Sequence, residues 1–172
     1  PFCTMDYTRT DFVTKAALCV TNDTRNKFSG IVKWSLRSAD SRVLQNGVTD
    51  VTADALSAVW LDEIDFNKTD VRHNYLSYAL VSEGKTISEG TVLFTAPKHF
   101  EFENPSLSYV INGNEITVMA EKYARYVEID SPDSDFVLSD NYFDLNGSES
   151  KTVKLLEGKF GEIKLRSVYD IK

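Results

Sequence analysis

Apolar and polar residues alternate with a period of two along much of this chain. Val32, Trp34 and Leu36 alternate with Lys33, Ser35 and Arg37, and Gly30 opens the run. That pattern predicts a strand over 31–37 with one buried face, Trp34 anchoring the core. An earlier strand is expected over 12–20, closed by the turn formers Thr21, Asn22, Asp23 and Thr24. A turn at 38–41 leads to a short strand, Arg42-Val43-Leu44, which Asn46-Gly47 closes. Residues 75–81 and 91–94 flank a polar segment with Gly84 and Gly90, predicting an antiparallel pair with a short strand at 86–87 between them. Residues 50–66 carry Ala53, Leu56, Ala58, Val59, Trp60, Leu61 and Ile64. An amphipathic helix and two strands broken near Asp54-Ala55 both fit; strand-like flanks favour strands.

Beyond Ala96-Pro97 the alternation is cleaner. Phe100 and Phe102 alternate with glutamates. Leu107, Tyr109 and Ile111 precede Asn112-Gly113, and Ile116, Val118 and Ala120 follow it. An Asn-Gly pair between alternating runs predicts a hairpin with positive φ at both turn residues. Val127 and Ile129 share one face of a strand over 125–130. The densest local signal is Ser139-Asp140-Asn141-Tyr142-Phe143-Asp144-Leu145 with Asn146-Gly147: turn formers around two aromatics, a corner packed onto a β core. Residues 151–156 and 162–169 complete the run. Proline cannot donate to a sheet ladder, so Pro97 is the expected boundary. The fold class is all-β: two antiparallel β-sandwiches in tandem, residues 1–97 and 98–172.

Composition narrows the partners. The chain has 172 residues, 42% of them hydrophobic, and a formal net charge of −7. A phosphate-backbone binder needs a basic face, so no nucleic-acid partner is expected. No apolar run reaches the ~20 residues that span a bilayer, so no membrane partner is expected. The start, Pro1-Phe2-Cys3, lacks a basic leader, an apolar signal core and an initiator methionine, leading to the expectation of an excised piece of a longer parent. Cys3 and Cys19 are the two cysteines. Cys19 lies in the apolar run 16–20, where a buried free thiol is the default; a Cys3–Cys19 bridge is the alternative. Asn-x-Ser/Thr triplets stand at Asn22, Asn67 and Asn146.

Candidate chemistry is sparse. Asp62, Glu63, Asp65, Asp133, Asp135, Asp140 and Asp144 cannot be paired from sequence, and turns or polar faces account for most of them. Asp133-Ser134-Asp135 opens like a calcium loop but lacks its later glycine and glutamate. His73, without Cys, His or Asp at ligand spacing, reads as a surface or strand-end residue. No nucleophile elbow, phosphate loop or dinucleotide fingerprint is present. The residues assign no catalytic, cofactor-binding or metal site.

The words Ala124-Arg125-Tyr126-Val127, Phe136, Ser139 through Leu145, Glu149-Ser150-Lys151-Thr152-Val153 and Ser167-Val168-Tyr169-Asp170 make the second half resemble a known domain. It is the terminal immunoglobulin-like domain of β-mannosidases in glycoside hydrolase family 2. The first half is similar to their preceding β-sandwich, through Val20-Thr21-Asn22-Asp23, the run from Gly30 to Leu36, and Val92-Leu93-Phe94 before Ala96-Pro97. Asn146 stands where that family usually carries proline or a bulky residue. The resemblance implies two immunoglobulin-like sandwiches without catalytic residues, because the family's two glutamates lie on a separate barrel of ~250 residues. It implies a parent that cleaves terminal β-linked mannose with retention. The partners it implies are the barrel and N-terminal domains of that parent, in a periplasmic, extracellular or lysosomal setting. Two rivals remain: a carbohydrate-binding module using Trp34, Trp60 or a tyrosine as a sugar platform, and an adhesion or receptor sandwich. Coplanar exposed aromatics would favour the former.

Overall fold

The structure is a computed structural model that describes residues 14–67 and 69–171 and the backbone of residues 2–3. No α-helix occurs among the described residues. The chain divides into two compact units, Pro1–Ser38 with Arg42–Glu101, and Ala39–Ser41 with Phe102–Lys172.

The first unit contains β1 (Phe2–Cys3), β2 (Lys15–Ala16), β3 (Leu18–Asn22), β4 (Phe28–Ser38), β5 (Val43–Ala53), β6 (Ser57–Trp60), β7 (Ile64–Asp65), β8 (Asn74–Ser82) and β9 (Lys85–Leu93), then a 3-10 turn at Pro97–His99. Its main sheet has the order β5-β4-β8-β9; β1-β3-β6 and β2-β7 form smaller sheets. Val32 and Leu36 of β4, Leu76 and Leu80 of β8, and Leu18 and Val20 of β3 close one core. Phe66 stands edge-on to both Trp34 and Phe94, with ring centroids 5.6 and 5.4 Å apart. Trp34 therefore packs against the core as its alternation implied.

Residues 50–66 hold strands and no helix, broken at 54–56, where Leu56 takes φ 53°, and again at 61–63 between β6 and β7. Two other expectations are corrected. Asn46-Gly47 does not close a short strand, because β5 runs through it; nor does Gly90 interrupt β9. Gly47, Trp34, Tyr78 and Gly90 form one row of cross-strand partners across all four strands of the main sheet. A Cβ on Gly47 would come within 2.5 Å of the Trp34 ring, and one on Gly90 within 2.7 Å of the Tyr78 hydroxyl. These glycines make room for aromatic rings that cover them, the role of an edge glycine rescued by an aromatic neighbour. The turn between β8 and β9 is Glu83-Gly84, where both residues have positive φ, 50° and 75°. That is the signature of a type I′ hairpin. Of the strand expected over 12–20, Phe12 and Val13 lie outside the described residues; the remainder is split at Ala17 into β2 and β3. Cys19 is a buried free thiol, and the side chain of Cys3 lies outside the described residues.

The second unit contains β10 (Ser108–Asn112), β11 (Glu115–Met119), β12 (Ala124–Asp130), β13 (Phe136–Leu138), β14 (Phe143–Leu145), β15 (Ser150–Gly158) and β16 (Lys164–Arg166), then a 3-10 turn at Val168–Ile171. One sheet has the order β10-β11-β15-β13, the other β14-β12-β16. Ile116, Val118, Val127 and Ile129 fill the core, as their alternation implied, together with Phe143 of the corner and Val153. The hairpin turn is one residue later than Asn112-Gly113. Asn112 pairs with Glu115, so Gly113-Asn114 forms the loop, and Gly113 has positive φ while Asn112 and Asn114 do not. Glycine first in a two-residue loop is the mark of a type II′ turn. Phe100 and Phe102 are both buried but belong to irregular backbone, not to a strand. Phe102 stacks on Tyr123 at 5.9 Å, so anchoring rather than pairing explains its apolarity.

Candidate functional site

The words that set this sequence apart converge on one corner of the second unit, where β12 meets β14. The ladder between them pairs Ala124 with Leu145 and Val127 with Phe143, leaving Arg125 and Tyr126 opposite Asp144 alone. This is a β-bulge, with Tyr126 at φ 51°. Asp144 steadies it: Oδ1 accepts the Tyr126 N–H at 2.9 Å. One step along, the backbone of β14 turns away at Tyr142, which has φ 60°. The Asn141 side chain continues the ladder in its place. Its Oδ1 accepts the Ile129 N–H at 2.9 Å, and its Nδ2 donates to the Ile129 carbonyl at 3.1 Å. The amide offers a donor and an acceptor at once, which is what a hydrogen-bonded strand pair supplies and an ionised carboxylate does not. Phe143 then points inward and is buried, with Lys151 Nζ 4.9 Å from its ring centroid. Leu145 follows it into the core.

Outside the corner lies an exposed polar–aromatic face. Tyr142 and Tyr126 are 60% and 48% exposed. The Tyr142 hydroxyl donates to Glu128 Oε1 at 2.9 Å, while Arg166 holds Glu128 Oε2 at 2.7 Å. The bond to Glu128 is the leading cause that pushes the Tyr142 phenol above its ordinary value. Arg125 donates from Nη2 to the Tyr126 hydroxyl, its guanidinium carbon 4.7 Å from that ring's centroid. Both oxygens of Glu128 are thus engaged, and the carboxylate holds the Tyr142 phenol in its protonated form rather than activating it as a nucleophile.

Of the acidic residues singled out from sequence, Glu63 and Asp65 share the Lys15 ammonium, at 2.7 and 3.9 Å, as a surface ion pair. Asp65 also accepts the Asn67 N–H. Asp140 pairs with Lys151 at 2.6 Å and Asp144 serves the bulge. Asp62 and Asp135 are exposed on loops. Asp133 is a turn cap: Oδ1 accepts the Ser131 hydroxyl at 2.7 Å and the Glu162 N–H at 2.9 Å. Those bonds, the Ser131 one first, hold its carboxyl below the usual range. Among the described residues no group of three or more His, Cys, Asp or Glu is placed to hold a metal ion. Asn22, one of the three glycosylation triplets, is buried, and its Nδ2 donates to the carbonyls of Asn26, Ala53 and Asp54. A glycan cannot share that nitrogen with the folded unit. His73 is exposed at the end of a turn, with Asp70 and Glu101 against its ring. Asp70, three residues before His73, corrects the expectation of a histidine with no Asp at ligand spacing; nothing local pointed to Glu101 or to the two-ended role of Asn141.

Family models match both units. Residues 14–99 match the mannosidase Ig/CBM-like domain, and residues 101–171 match an Ig-fold domain of mannosidases. The chain belongs to the mannosidase Ig/CBM-like domain family. Its all-β, antiparallel architecture is thus immunoglobulin-like. Among solved structures, β-D-mannosidase from Dictyoglomus thermophilum matches with a TM-score of 0.72 and 18% identity, over 90% of this chain and 20% of that one. The exo-chitosanase from Amycolatopsis orientalis matches with a TM-score of 0.58 and 15% identity, over 81% of this chain and 22% of that one. The chain therefore spans about a fifth of the length of these enzymes. No curated protein matches it. In this chain the corner at Asn141 is built from the words that carried the resemblance, and they encode architecture: a ladder-extending amide, a bulge cap and a core phenylalanine.

Proposed function

We propose that these two units are the non-catalytic accessory part of a glycoside hydrolase, and that the parent is a β-mannosidase of glycoside hydrolase family 2. The observation that carries the reading is the succession of two mannosidase-type domain models over residues 14–99 and 101–171. The parent hydrolyses terminal β-D-mannose with retention, and its barrel and N-terminal domains are the partners of this chain. Retaining hydrolysis needs an acid and a nucleophile about 5 Å apart around a bound sugar. The carboxylates here serve otherwise, as caps of turns and bulges and in surface ion pairs. The sugar-platform rival needs flat exposed rings. Trp34 is engaged with the core, which leaves that rival Trp60, 56% exposed, and the exposed tyrosines, Tyr142 and Tyr126 among them. Sequencing the gene upstream of this stretch tests the proposal: it should encode a (β/α)8 barrel with two glutamates at strand ends. A gene that encodes adhesion sandwiches there instead would overturn it.

A further inference from the structure

We propose that His73 is a pH-operated clasp, which as an imidazolium ties the 70–73 turn to the segment that follows the Pro97–His99 turn. His73 Nδ1 lies 2.8 Å from Asp70 Oδ2, and Nε2 lies 3.0 Å from Glu101 Oε2. A carboxylate only accepts hydrogen bonds, and a neutral imidazole has one N–H to give. Both contacts are satisfied together only when both ring nitrogens carry protons.

The two carboxylates hold their places without the histidine. The Arg72 N–H donates to Asp70 Oδ1 at 3.0 Å. Arg72 Nη2 is 2.6 Å from Glu101 Oε1, and the Glu101 N–H donates to the Arg72 carbonyl at 2.8 Å. Lys98 and His99 stand in the preceding 3-10 turn. Loss of the proton therefore leaves a defined state. The ring keeps Nδ1–H on Asp70, the shorter contact, and its Nε2 lone pair then faces a Glu101 oxygen. That contact opens, and Glu101 retains only its ties to Arg72.

The hydrogen bond to Asp70 leads the causes that raise the His73 pKa above 6.5; burial opposes it, and the Asp70 charge and Glu101 add to it. A basic group raised on folding stabilises fully below its unfolded pKa, and that contribution is lost as pH rises through the folded value. The clasp is thus closed in mild acid and opens as pH rises through the raised midpoint of His73.

The test is a pH titration of the whole chain with 15N-labelled histidine, read by NMR. H73Q assigns the signals, since His99 is the other histidine. The His73 midpoint should lie above ~6.5. Its neutral form should carry the proton on Nδ1. D70N and E101Q should each lower the midpoint; both side chains are about half exposed, so the fold should survive. Exchange of the Glu101 amide should accelerate above the midpoint beyond the base-catalysed trend, and H73Q should abolish that excess. A midpoint at or below ~6.5, a neutral form protonated on Nε2, or an E101Q midpoint equal to wild type overturns the clasp.

Discussion

Replacing Asn141 with alanine should destabilise the second unit by about 2–4 kcal/mol. The figure comes from the two groups it would orphan, the N–H and the carbonyl of Ile129, a residue 2% exposed. A buried backbone group left without its partner costs about 1–3 kcal/mol, and partial access of water at this part-buried spot trims the sum. A finer test comes from N141D. A carboxylate still accepts from Ile129 N–H but places negative charge against the Ile129 carbonyl. It should lose nearly as much as alanine at neutral pH. The new carboxyl is favoured in its protonated form on folding, so its folded pKa is raised, and the lost stability should return as pH falls through that value. The assay is urea denaturation followed by far-UV circular dichroism, with the midpoint shifting and the slope unchanged. Trp34 and Trp60, the two tryptophans, both lie in the first unit, so their emission should report an unchanged transition there. A loss below about 0.5 kcal/mol for N141A, or no recovery of N141D in acid, would refute the ladder-extending role.

G47A should destabilise the first unit by about 1–3 kcal/mol, because its Cβ would intrude 2.5 Å from the Trp34 ring. Combining it with W34L should cost less than the sum of the single changes, and strict additivity in a double-mutant cycle would count against the contact. F143A should cost about 3–5 kcal/mol by the same denaturation assay, close to the whole stability of a small unit, whereas a loss under ~1 kcal/mol would mean the ring is not in the core. In acrylamide quenching Trp60 should be accessible and Trp34 shielded; equal accessibility would contradict the packing of Trp34 on Phe66.

Periodic elements were legible from the sequence because burial on one face of a strand leaves a direct imprint. Val32 and Leu36, or Val127 and Ile129, needed only their spacing. Glycines misled, because the same residue serves opposite ends. Gly84 and Gly113 supply positive φ in turns, but Gly47 and Gly90 sit mid-strand to admit a ring from the neighbouring strand. Nothing near Gly47 in sequence names Trp34 as its partner. The hairpin at 112–115 erred by one residue for a related reason: Asn112-Gly113 suggested a type I′ turn, but the register chose Gly113-Asn114. The corner was visible as a cluster of turn formers, and its chemistry was not. The value of Asn141 depends on Ile129, twelve residues earlier in the chain. His73 likewise drew half of its partners from Glu101, beyond the reach of any local pattern.

The proposed accessory role is tested most directly by incubating the purified chain with a chromogenic β-mannoside beside a full-length family 2 β-mannosidase. The account predicts turnover by the full-length enzyme and none by this chain, because its acids cap turns and pair with lysines rather than flank a sugar. Turnover that survives further purification, and vanishes when one acidic residue of this chain is changed to its amide, would contradict the account and make the chain an enzyme in its own right.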